Sequence, residues 1–522
     1  MAMYLDVCNA NASSSIMKRL SIALGFVCLS YSALTAEEYY IDSRHGDDAA
    51  AGTCPKTAWS SLQAANQHAF KPGDVIYLHS GQIFDGQFRP ISSGADGQPI
   101  TLTSYLDGPK PIIAGGGVTR SAVFLENLSH WVIDSIEITN TGKSREAKRV
   151  GVLVFAKNIG VVQDITLRNL LVRDVNGVIS KDKGGGTGIR WEVDTRKVPT
   201  KIDNLLIENC HVLRCDRDAI KGWIEPWDDL SHLSTNVVIR GNLLEDIGGD
   251  GIVPIGTDFA VIEYNRLYRA RQRIKNLDTK NVTQYAGPSI GIWPWSSLNT
   301  QIRYNEVWGY AGTFDGQGLD SDYNCEGTVF EYNLSADNAG GFFLVCDWSK
   351  HRDSGQSIGN KNTIIRHNIS FNDHLRGFVL CGPICGVKIY ENIVYNTIES
   401  EYQLIVDTPW EAGRFAESVE VRDNLFYTTG LARIYQGTWD GSGMGLWKYQ
   451  KPINQETVRF SGNAYSNIQS HEEPDMQALS KEETLTSLVK RLRVDPATRA
   501  GFDKMFNFLE GSRYYSRIKQ AL

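Results

Sequence analysis

The chain has 522 residues, of which 42% are hydrophobic and 10% aromatic, and it carries a formal net charge of −7. A chain of this length can bury a large core, and its mild acidity gives no electrostatic reason to bind nucleic acid. The composition therefore indicates a globular protein with no nucleic-acid partner, and we expect a monomer.

Residues 17–36 have the order of a secretory signal peptide: a basic start, an apolar stretch and small residues at the end. The sequence predicts cleavage after Ala36 and a secreted or periplasmic mature protein. Residues 1–16 fit no part of this pattern, so we interpret them as a non-native upstream extension, with the true start at Met17. The apolar stretch is too short for a membrane span, and no later segment resembles one.

Seven cysteines remain in the predicted mature chain: Cys54, Cys210, Cys215, Cys325, Cys346, Cys381 and Cys385. This odd number leaves at least one thiol unpaired. Cys381 and Cys385 are close in sequence, but no second Cys or His pair follows at zinc spacing. We therefore expect buried thiols with at most one disulfide, and no zinc site.

Residues 37–115 are rich in glycine, proline and turn residues, as in KPGDVIYLHSGQIFDGQ. The residues after them carry a repeat, and a stacked repeat needs its exposed end covered. We interpret residues 37–115 as an N-terminal cap that also supplies the first coils.

A short pattern then recurs: an apolar residue, two variable residues, Asn, a variable residue and usually another apolar one. Its Asn residues are Asn242, Asn265, Asn305, Asn333, Asn368, Asn392, Asn424 and Asn463. Their irregular intervals, roughly 23 to 40 residues, suit a solenoid whose coils carry variable loops. Asn tolerates left-handed backbone angles, and its amide can hydrogen-bond the coils above and below. We predict a structural Asn ladder, with Leu170 and Cys210 at its place in earlier coils.

A second short apolar strand follows each of these turns. Strand alternation predicts that its inward residues are Ile189, Ile220, Ile252, Ile292, Leu319, Phe342, Phe378 and Leu404. The fold prediction is all-β: a single right-handed parallel β-helix over residues 116–467, with these strands stacked in one sheet. Residues 468–522 place apolar residues at helical spacing and predict a C-terminal helical cap.

The outward face of the middle coils holds the candidate chemistry. Its positions, strand by strand, are Trp293 and Trp295, then Asp320 and Asp322, then Phe343 and Asp347. Strands about 4.8 Å apart bring these side chains onto one small surface. Indole faces suit sugar rings, and paired carboxylates beside them indicate glycoside hydrolysis, in which one acid protonates the leaving oxygen while the other attacks or activates water. We predict that Asp320, Asp322 and Asp347 include the acid and its partner, and that Trp293, Trp295 and Phe343 bind substrate.

Earlier coils extend this face with Arg190, Glu192, Lys221 and Trp223. We predict that these four side chains also contribute to substrate binding. A basic residue here could bind an acidic sugar or act as the base of a lyase. Exposed Arg and Lys are, however, commonly no more than solvated surface.

Calcium is the alternative use of these carboxylates. Asp320, Asp322, Asn324 and Glu331 have the spacing of an EF-hand loop. Cys325 stands where that loop needs glycine, and strands flank the segment. We discount the EF-hand, keep calcium as an open alternative, and predict no organic cofactor and no essential metal.

The opening YYIDSRHGDD, the segments GTCPKTAW and KPGDVIYLHSGQIFDGQ, and the Asn-marked coils resemble the pectate-lyase-like superfamily of right-handed parallel β-helix proteins. The resemblance covers residues 38 to 465 and implies activity on carbohydrate, because that superfamily holds lyases, glycoside hydrolases, epimerases and esterases. Its calcium-dependent pectate lyases use a strand lysine as the base, where this sequence has Asp320 and Asp322. The short Asp-Asp and Arg-Ile-Lys motifs of polygalacturonases are also missing.

The sequence thus predicts a glycoside hydrolase that acts on an extracellular polysaccharide or its oligosaccharide fragments. Two alternatives remain open. One is a polysaccharide lyase acting on a uronate-containing glycan, and the other is a non-catalytic glycan-binding or adhesion β-helix.

Overall fold

The computed structural model describes residues 36–181, 184–272, 287–312, 314–409, 413–439, 447–469, 477–480 and 482–521. The backbone of these residues winds through three parallel sheets, A, B and C, in that order within each coil. The fold is therefore a parallel β-helix, as the repeat predicts, and its right-handed sense stays a prediction. The predicted signal peptide and upstream extension lie outside the described residues, except for Ala36.

Sheet A has 18 strands. They are Glu38–Ile41, Val75–His79, Ile100–Tyr105, Trp131–Asp134, Val161–Arg168, Lys201–Glu208, Ser234–Arg240, Thr257–Asp258, Val261–Glu263, Ser297–Leu298, Gln301–Arg303, Cys325–Glu326, Val329–Glu331, Asn360–Lys361, Ile364–Arg366, Cys385–Tyr390, Ser418–Arg422 and Val458–Ser461. Successive side chains alternate between the core and the outer face, as the period of a strand requires.

Sheet B has 14 strands. They are Ile83–Asp85, Ile112–Ala114, Glu137–Asn140, Leu171–Val175, His211–Cys215, Leu243–Glu245, Arg266–Tyr268, Glu306–Trp308, Leu334–Ala336, Ile369–Phe371, Ile393–Asn396, Leu425–Thr428, Ala464–Tyr465 and Gln477–Ala478. The first strands of sheets A and B fall within residues 37–115, together with the 3₁₀ helix Pro55–Thr57 and helix α1, Leu62–Gln67.

Sheet C has two parts that meet at Ile292, which bridges Ile252 on one side and Leu319 on the other. The first part contains Ser121–Glu126, Val150–Lys157, Thr187–Asp194, Ile220–Lys221, Ile224–Glu225 and Ile252–Val253. The second contains Gln317–Ser321, Gly341–Cys346, Arg376–Cys381, Tyr402–Thr408, Ala432–Trp439, the antiparallel Trp447–Lys451, and Ile468–Gln469. The candidate chemistry lies on the outer face of sheet C where the two parts meet.

The predicted Asn ladder is confirmed along the corner between sheets A and B. In each step the side-chain amide of one Asn donates to Oδ1 of the next, as from Asn242 to Asn265 at 2.8 Å and from Asn424 to Asn463 at 2.9 Å. The left-handed backbone angle falls on the residue before the ladder position, as at Tyr264 (φ 55°), and not on the Asn itself. Each buried Asn thereby satisfies its polar atoms between coils, which explains why so polar a residue recurs inside the fold.

The predicted inward positions of sheet C are confirmed from Ile189 to Leu319 and at Phe378, but they are off by one residue at Phe342 and Leu404, where Phe343 and Ile405 hold the register. Leu319 pairs with Phe343, and Phe343 pairs with Phe378. The strand Gly341–Cys346 is apolar throughout, so its sequence lacks the alternation that fixes which residues face inward. The expectation that Phe342 faces inward at this register and Phe343 outward is therefore wrong.

Helix α2, Ser349–Asp353, follows the sheet C strand Gly341–Cys346. Three C-terminal helices follow the last coils: α3 (Leu485–Leu492), α4 (Pro496–Leu509) and α5 (Tyr515–Ala521). Thr484 and Asp495 cap the first two, and Pro496 occupies the first turn of α4, where its missing N–H costs nothing.

The predicted helical segment is thus present, and it packs along the outer face of sheet B. Phe502 meets Tyr332 edge to face at 5.5 Å, and Arg266 donates to the Phe508 carbonyl at 2.5 Å. Within the described part of the chain, no helix is long and apolar enough to cross a membrane. Among the described residues, no disulfide joins the seven cysteines of the predicted mature chain, and five of the seven are buried.

Candidate functional site

The register of sheet C places the predicted tryptophans, Trp293 and Trp295, next to the predicted aspartates, Asp320 and Asp322. Because Ile292 bridges Leu319, Trp293 is the neighbour of Asp320. The backbone N–H of Asp322 donates to the Pro294 carbonyl at 3.3 Å, which places Asp322 beside Trp295. Asp320 and Asp322 are two residues apart on one strand, so both side chains leave the same face.

Asp320 and Asp322 share a buried, low-dielectric environment. Asp320 is only 2% exposed, and its Oδ1 has no hydrogen-bond partner among the described residues, whereas Asp322 is partly exposed. Burial, and then repulsion from Asp322 and Asp315, raise the pKa of Asp320 well above its usual range. Burial raises the pKa of Asp322 to about 7. Near neutral pH this pair therefore holds protons that an exposed aspartate would have lost.

A third carboxyl, Asp315, belongs with them. It is partly exposed, its charge raises the pKa of both Asp320 and Asp322, and burial raises its own pKa. It has a left-handed backbone (φ 58°), and its carbonyl accepts a 2.5 Å hydrogen bond from Arg376. We call Asp315, Asp320 and Asp322 the acid cluster. Sequence reasoning missed Asp315 because it precedes the strand, where the period-two alternation gives no information.

Trp293 does not form an exposed sugar platform. It is 3% exposed, and its Nε1 donates to Oδ1 of Asp250 at 3.2 Å. The Nζ of Lys181 lies 4.8 Å from the centre of its ring. The expectation that Trp293 presents an open face is wrong, because a lysine from an earlier coil occupies that face.

A buried charged network continues from Trp293 into the earlier coils. Arg217 contacts Asp250 at 3.2 Å, and Lys221 lies 3.4 Å from Asp218 and 3.6 Å from Asp250. Burial lowers the pKa of Lys221, while the two carboxylates oppose that effect. Arg217 and Lys221 in turn lower the pKa of Asp250. The predicted binding residue Lys221 is thus a partner of buried carboxylates and not a solvated surface lysine.

Trp295 lies in a larger set of half-buried aromatic side chains, which we call the aromatic group: Trp223, Trp227, Trp295, Tyr323, Trp348 and His351. Trp227 stacks on Trp295 at 5.2 Å with an interplanar angle of 19°. Trp223 and Tyr323 meet Trp295 at 5.7 and 5.5 Å. The Nε1 of Trp295 has no hydrogen-bond partner among the described residues. Aromatic faces beside carboxyls form a surface suited to a sugar ring.

Arg190 and Glu192 form the far end of this face. Glu192 forms ion pairs with Arg190, at 2.6 Å, and with Arg120. Burial raises the pKa of Glu192, but the two arginines outweigh that effect and lower it. The guanidinium carbon of Arg190 lies 6.0 Å from the ring centre of Trp223. These predicted binding residues therefore border the aromatic group through Trp223.

Two predicted site residues lie elsewhere. Phe343 is fully buried and packs edge to face on Phe330 at 4.7 Å, so its predicted contact with substrate is wrong. Asp347 is also buried, and its Oδ2 lies 3.2 Å from Arg352. The register that buries Phe343 makes Cys346, not Asp347, the neighbour of Asp322 on the next strand.

The structure separates the residues of the EF-hand alternative. Glu331 lies on a strand of sheet A and forms an ion pair with Arg366 at 2.7 Å. The buried Asn324 donates to the Ser296 hydroxyl and accepts from the Ile358 backbone N–H. Across the described ranges, no group of three or more His, Cys, Asp or Glu side chains is placed to hold a metal ion. The independence from metal nevertheless stays a prediction.

Comparisons with known proteins agree with this architecture. No family model matches the chain. The lacto-N-biosidase of Bifidobacterium longum subsp. longum is 28% identical over 528 residues, which cover 84% of this chain and 32% of that protein. The chain thus spans about a third of the length of the curated relative that it matches.

Solved structures give the same picture of the fold. The GH136 lacto-N-biosidase from Eubacterium ramulus matches in its selenomethionine and native crystal structures, with TM-scores of 0.59 and 0.58. Both are 22% identical and cover 85% of this chain and 68% of theirs. At this identity the match supports the shared β-helix fold.

Proposed function

We propose that this chain is a glycoside hydrolase of the lacto-N-biosidase kind, acting on an oligosaccharide at the outer face of sheet C. The observation that carries the proposal is the acid cluster, in which one buried and two partly exposed carboxyls with raised pKa values lie beside the aromatic group. The likeness to the lacto-N-biosidase of Bifidobacterium longum supports the substrate class.

In the proposed reaction, Asp322 is the general acid. Its pKa of about 7 keeps a proton available near neutral pH, and it is the partly exposed carboxyl nearest Trp295 and Tyr323. Asp322 gives that proton to the glycosidic oxygen as the bond to the anomeric carbon breaks. An acid poised near the working pH transfers its proton most effectively.

Asp315 is the proposed ionised partner. It is also partly exposed, and Lys181, Arg376 and Arg271 all lower its pKa against the effect of burial. Asp315 either attacks the anomeric carbon or removes a proton from the attacking water, depending on its separation from Asp322. Asp320 is more deeply buried than Asp315 and Asp322. In the proposed reaction it retains its proton and does not contact the sugar.

The proposed location is outside the cytoplasm, since residues 17–36 have the order of a signal peptide. N-terminal sequencing of the protein exported by its native host would test cleavage after Ala36.

The proposed function is tested with the purified protein and oligosaccharides that end in lacto-N-biose, with products separated by chromatography. Asp322→Asn and Asp315→Asn should each lower kcat by about 100-fold or more with folding intact. Asp320→Asn should cost far less, because Asn resembles the protonated carboxyl. An equal loss in Asp320→Asn would instead make Asp320 a member of the pair.

Two other results would replace the proposal. An unsaturated uronate product, detected by its ultraviolet absorbance, would make the protein a lyase. Binding of glycan without any product across a broad panel would make it a glycan-binding β-helix.

A further inference from the structure

We propose that Lys181 is a positioning residue for the acid cluster, whose ammonium keeps one carboxylate ionised while a neighbouring carboxyl keeps its proton. This inference rests on the proposed glycosidase function and adds a residue from a distant coil to it. Lys181 acts through the carboxyls and does not itself contact the sugar.

The placement of Lys181 is unusual for its position in the chain. It precedes strand Thr187–Asp194, yet it lies over Trp293, three coils further along sheet C. Three strand spacings amount to roughly 14 Å, so the segment before this strand reaches across the outer face of the sheet. Gly287 meets its stem: a Cβ added at Gly287 would lie 3.0 Å from the Cβ of Lys181.

The ring on which the Lys181 ammonium lies, that of Trp293, is held in place by its surroundings. Trp293 is buried, and its Nε1 is held by Asp250 at 3.2 Å. The Lys181 ammonium lies 4.8 Å from the ring centre, within the range of a cation–π contact. Trp293 also neighbours Asp320 in the sheet, so a cation held on this ring stands at the edge of the acid cluster.

The acidic groups around Lys181 also have other cationic neighbours. Arg217 and Lys221 lie 3.2 and 3.6 Å from Asp250, and Arg376 and Arg271 act together with Lys181 to lower the pKa of Asp315 against the effect of burial. The titratable and charged groups that face this region are Asp250, Asp315, Asp320, Asp322, Arg217, Lys221, Arg271, Arg376, Tyr310, Tyr323, Cys325, Cys346 and Cys381. Lys181 opposes the rise in pKa of all three members of the acid cluster. No ion pair joins Lys181 to another side chain in the described part of the chain.

The consequence is that the three carboxyls of the acid cluster can hold different protonation states. Burial raises the pKa of all three carboxyls, and the Lys181 ammonium opposes that rise in each of them. One ammonium offsets about one negative charge. Lys181 therefore allows one ionised and at least one protonated carboxyl to coexist.

Lys181→Met tests the proposal, because methionine keeps an apolar stem over Trp293 and removes the charge. We expect kcat to fall by about 10-fold or more with little change in KM, and both limbs of the pH profile of kcat/KM to move up by about one pH unit. Lys181→Arg should restore most of the activity and the wild-type profile. Lys143→Met, at an exposed lysine on another loop, is the matched control and should leave both unchanged.

A second measurement does not need activity. Native carboxyls with raised pKa values hold protons that the unfolded chain has lost, so stability falls as the pH rises above about 4. In Lys181→Met this fall should extend to higher pH, so that its deficit against wild type grows between pH 5 and 8 in urea titrations. An inactive wild type whose Lys181→Met variant still shows this growing deficit would refute the proposed function and retain the electrostatic role of Lys181. Parallel stability curves, or an unshifted pH profile with a raised KM, would overturn the proposal.

Discussion

Trp293 donates a 3.2 Å hydrogen bond from Nε1 to the carboxylate of Asp250, which lies in the preceding coil. This bond connects Trp293, the neighbour of Asp320, to the buried network in which Asp250 contacts Arg217 and Lys221. Trp293→Phe keeps an aromatic ring beneath Lys181 but removes the N–H together with the second ring of the indole. We expect a loss of about 2 kcal/mol in the free energy of unfolding at pH 7, measured by urea titration, with KM unchanged, because the hydrogen bond and part of the buried volume are both lost. A KM raised several-fold without loss of stability would show that Trp293 contacts substrate.

For Trp295 we expect an effect on KM, since its indole is only half-buried and stacks on Trp227 within the aromatic group. Trp295→Ala should raise KM about 10-fold, equivalent to roughly 1.4 kcal/mol of lost binding, because the sugar loses an aromatic face. Initial rates over a range of oligosaccharide concentrations measure it. Tyr77→Ala, on the outer face of sheet A, removes a comparable remote aromatic ring and should leave KM unchanged. Equal KM values in both variants would exclude Trp295 from the sugar site.

The pKa of Asp322 sets the alkaline limit of activity. Its protonated form is the proposed acid, and that form is lost as the pH rises through its pKa of about 7. We therefore expect kcat/KM to fall above about pH 7, by 10-fold per pH unit on the limiting slope. Steady-state rates from pH 5 to 9 measure this fall. A plateau that continues to pH 9 would contradict the assignment of Asp322 as the acid.

Asp373 should make stability depend on pH away from the site. It is fully buried, accepts from Asn338 and Ser370, and burial raises its pKa to about 7. The native state therefore retains a proton that the unfolded chain loses near pH 4, so stability declines as the pH rises from about 4 to 7. Asp373→Asn can accept from Asn338, donate to Ser370, and carries no charge.

The free energy of unfolding of Asp373→Asn relative to wild type should thus improve by on the order of 2 kcal/mol between pH 5 and 8. Urea titrations at both pH values measure the difference. Asp228→Asn, at an exposed position, serves as the control and should show no such trend. A constant difference across this pH range would mean that Asp373 ionises normally in the folded protein.

The sequence predicted the β-helix because its strongest signal, the recurrent Asn, is itself a structural element of every coil from Asn242 to Asn463. The sequence also predicted that Asp320 and Asp322 lie on the same outward face, because strand alternation places residues two apart on one side. It failed at Phe343 and Asp347, since an unbroken apolar strand satisfies two registers that differ by one residue.

Lys181 and Asp315 could not be found in the same way. Both stand outside the regular strands, and Lys181 comes from a segment that crosses three coils to reach Trp293. The path of such a segment depends on what it packs against, and no local period in the sequence encodes that.

The Asn ladder keeps constant hydrogen-bond geometry while the chain between its members varies in length. Asn242 and Asn265 bond at 2.8 Å across 23 positions, and Asn265 and Asn305 at 3.0 Å across 40. Insertions and deletions in the intervening loops thus leave the stacking of neighbouring coils unchanged. Loops between the ladder positions can therefore change in length without moving the outer face of sheet C that carries the acid cluster.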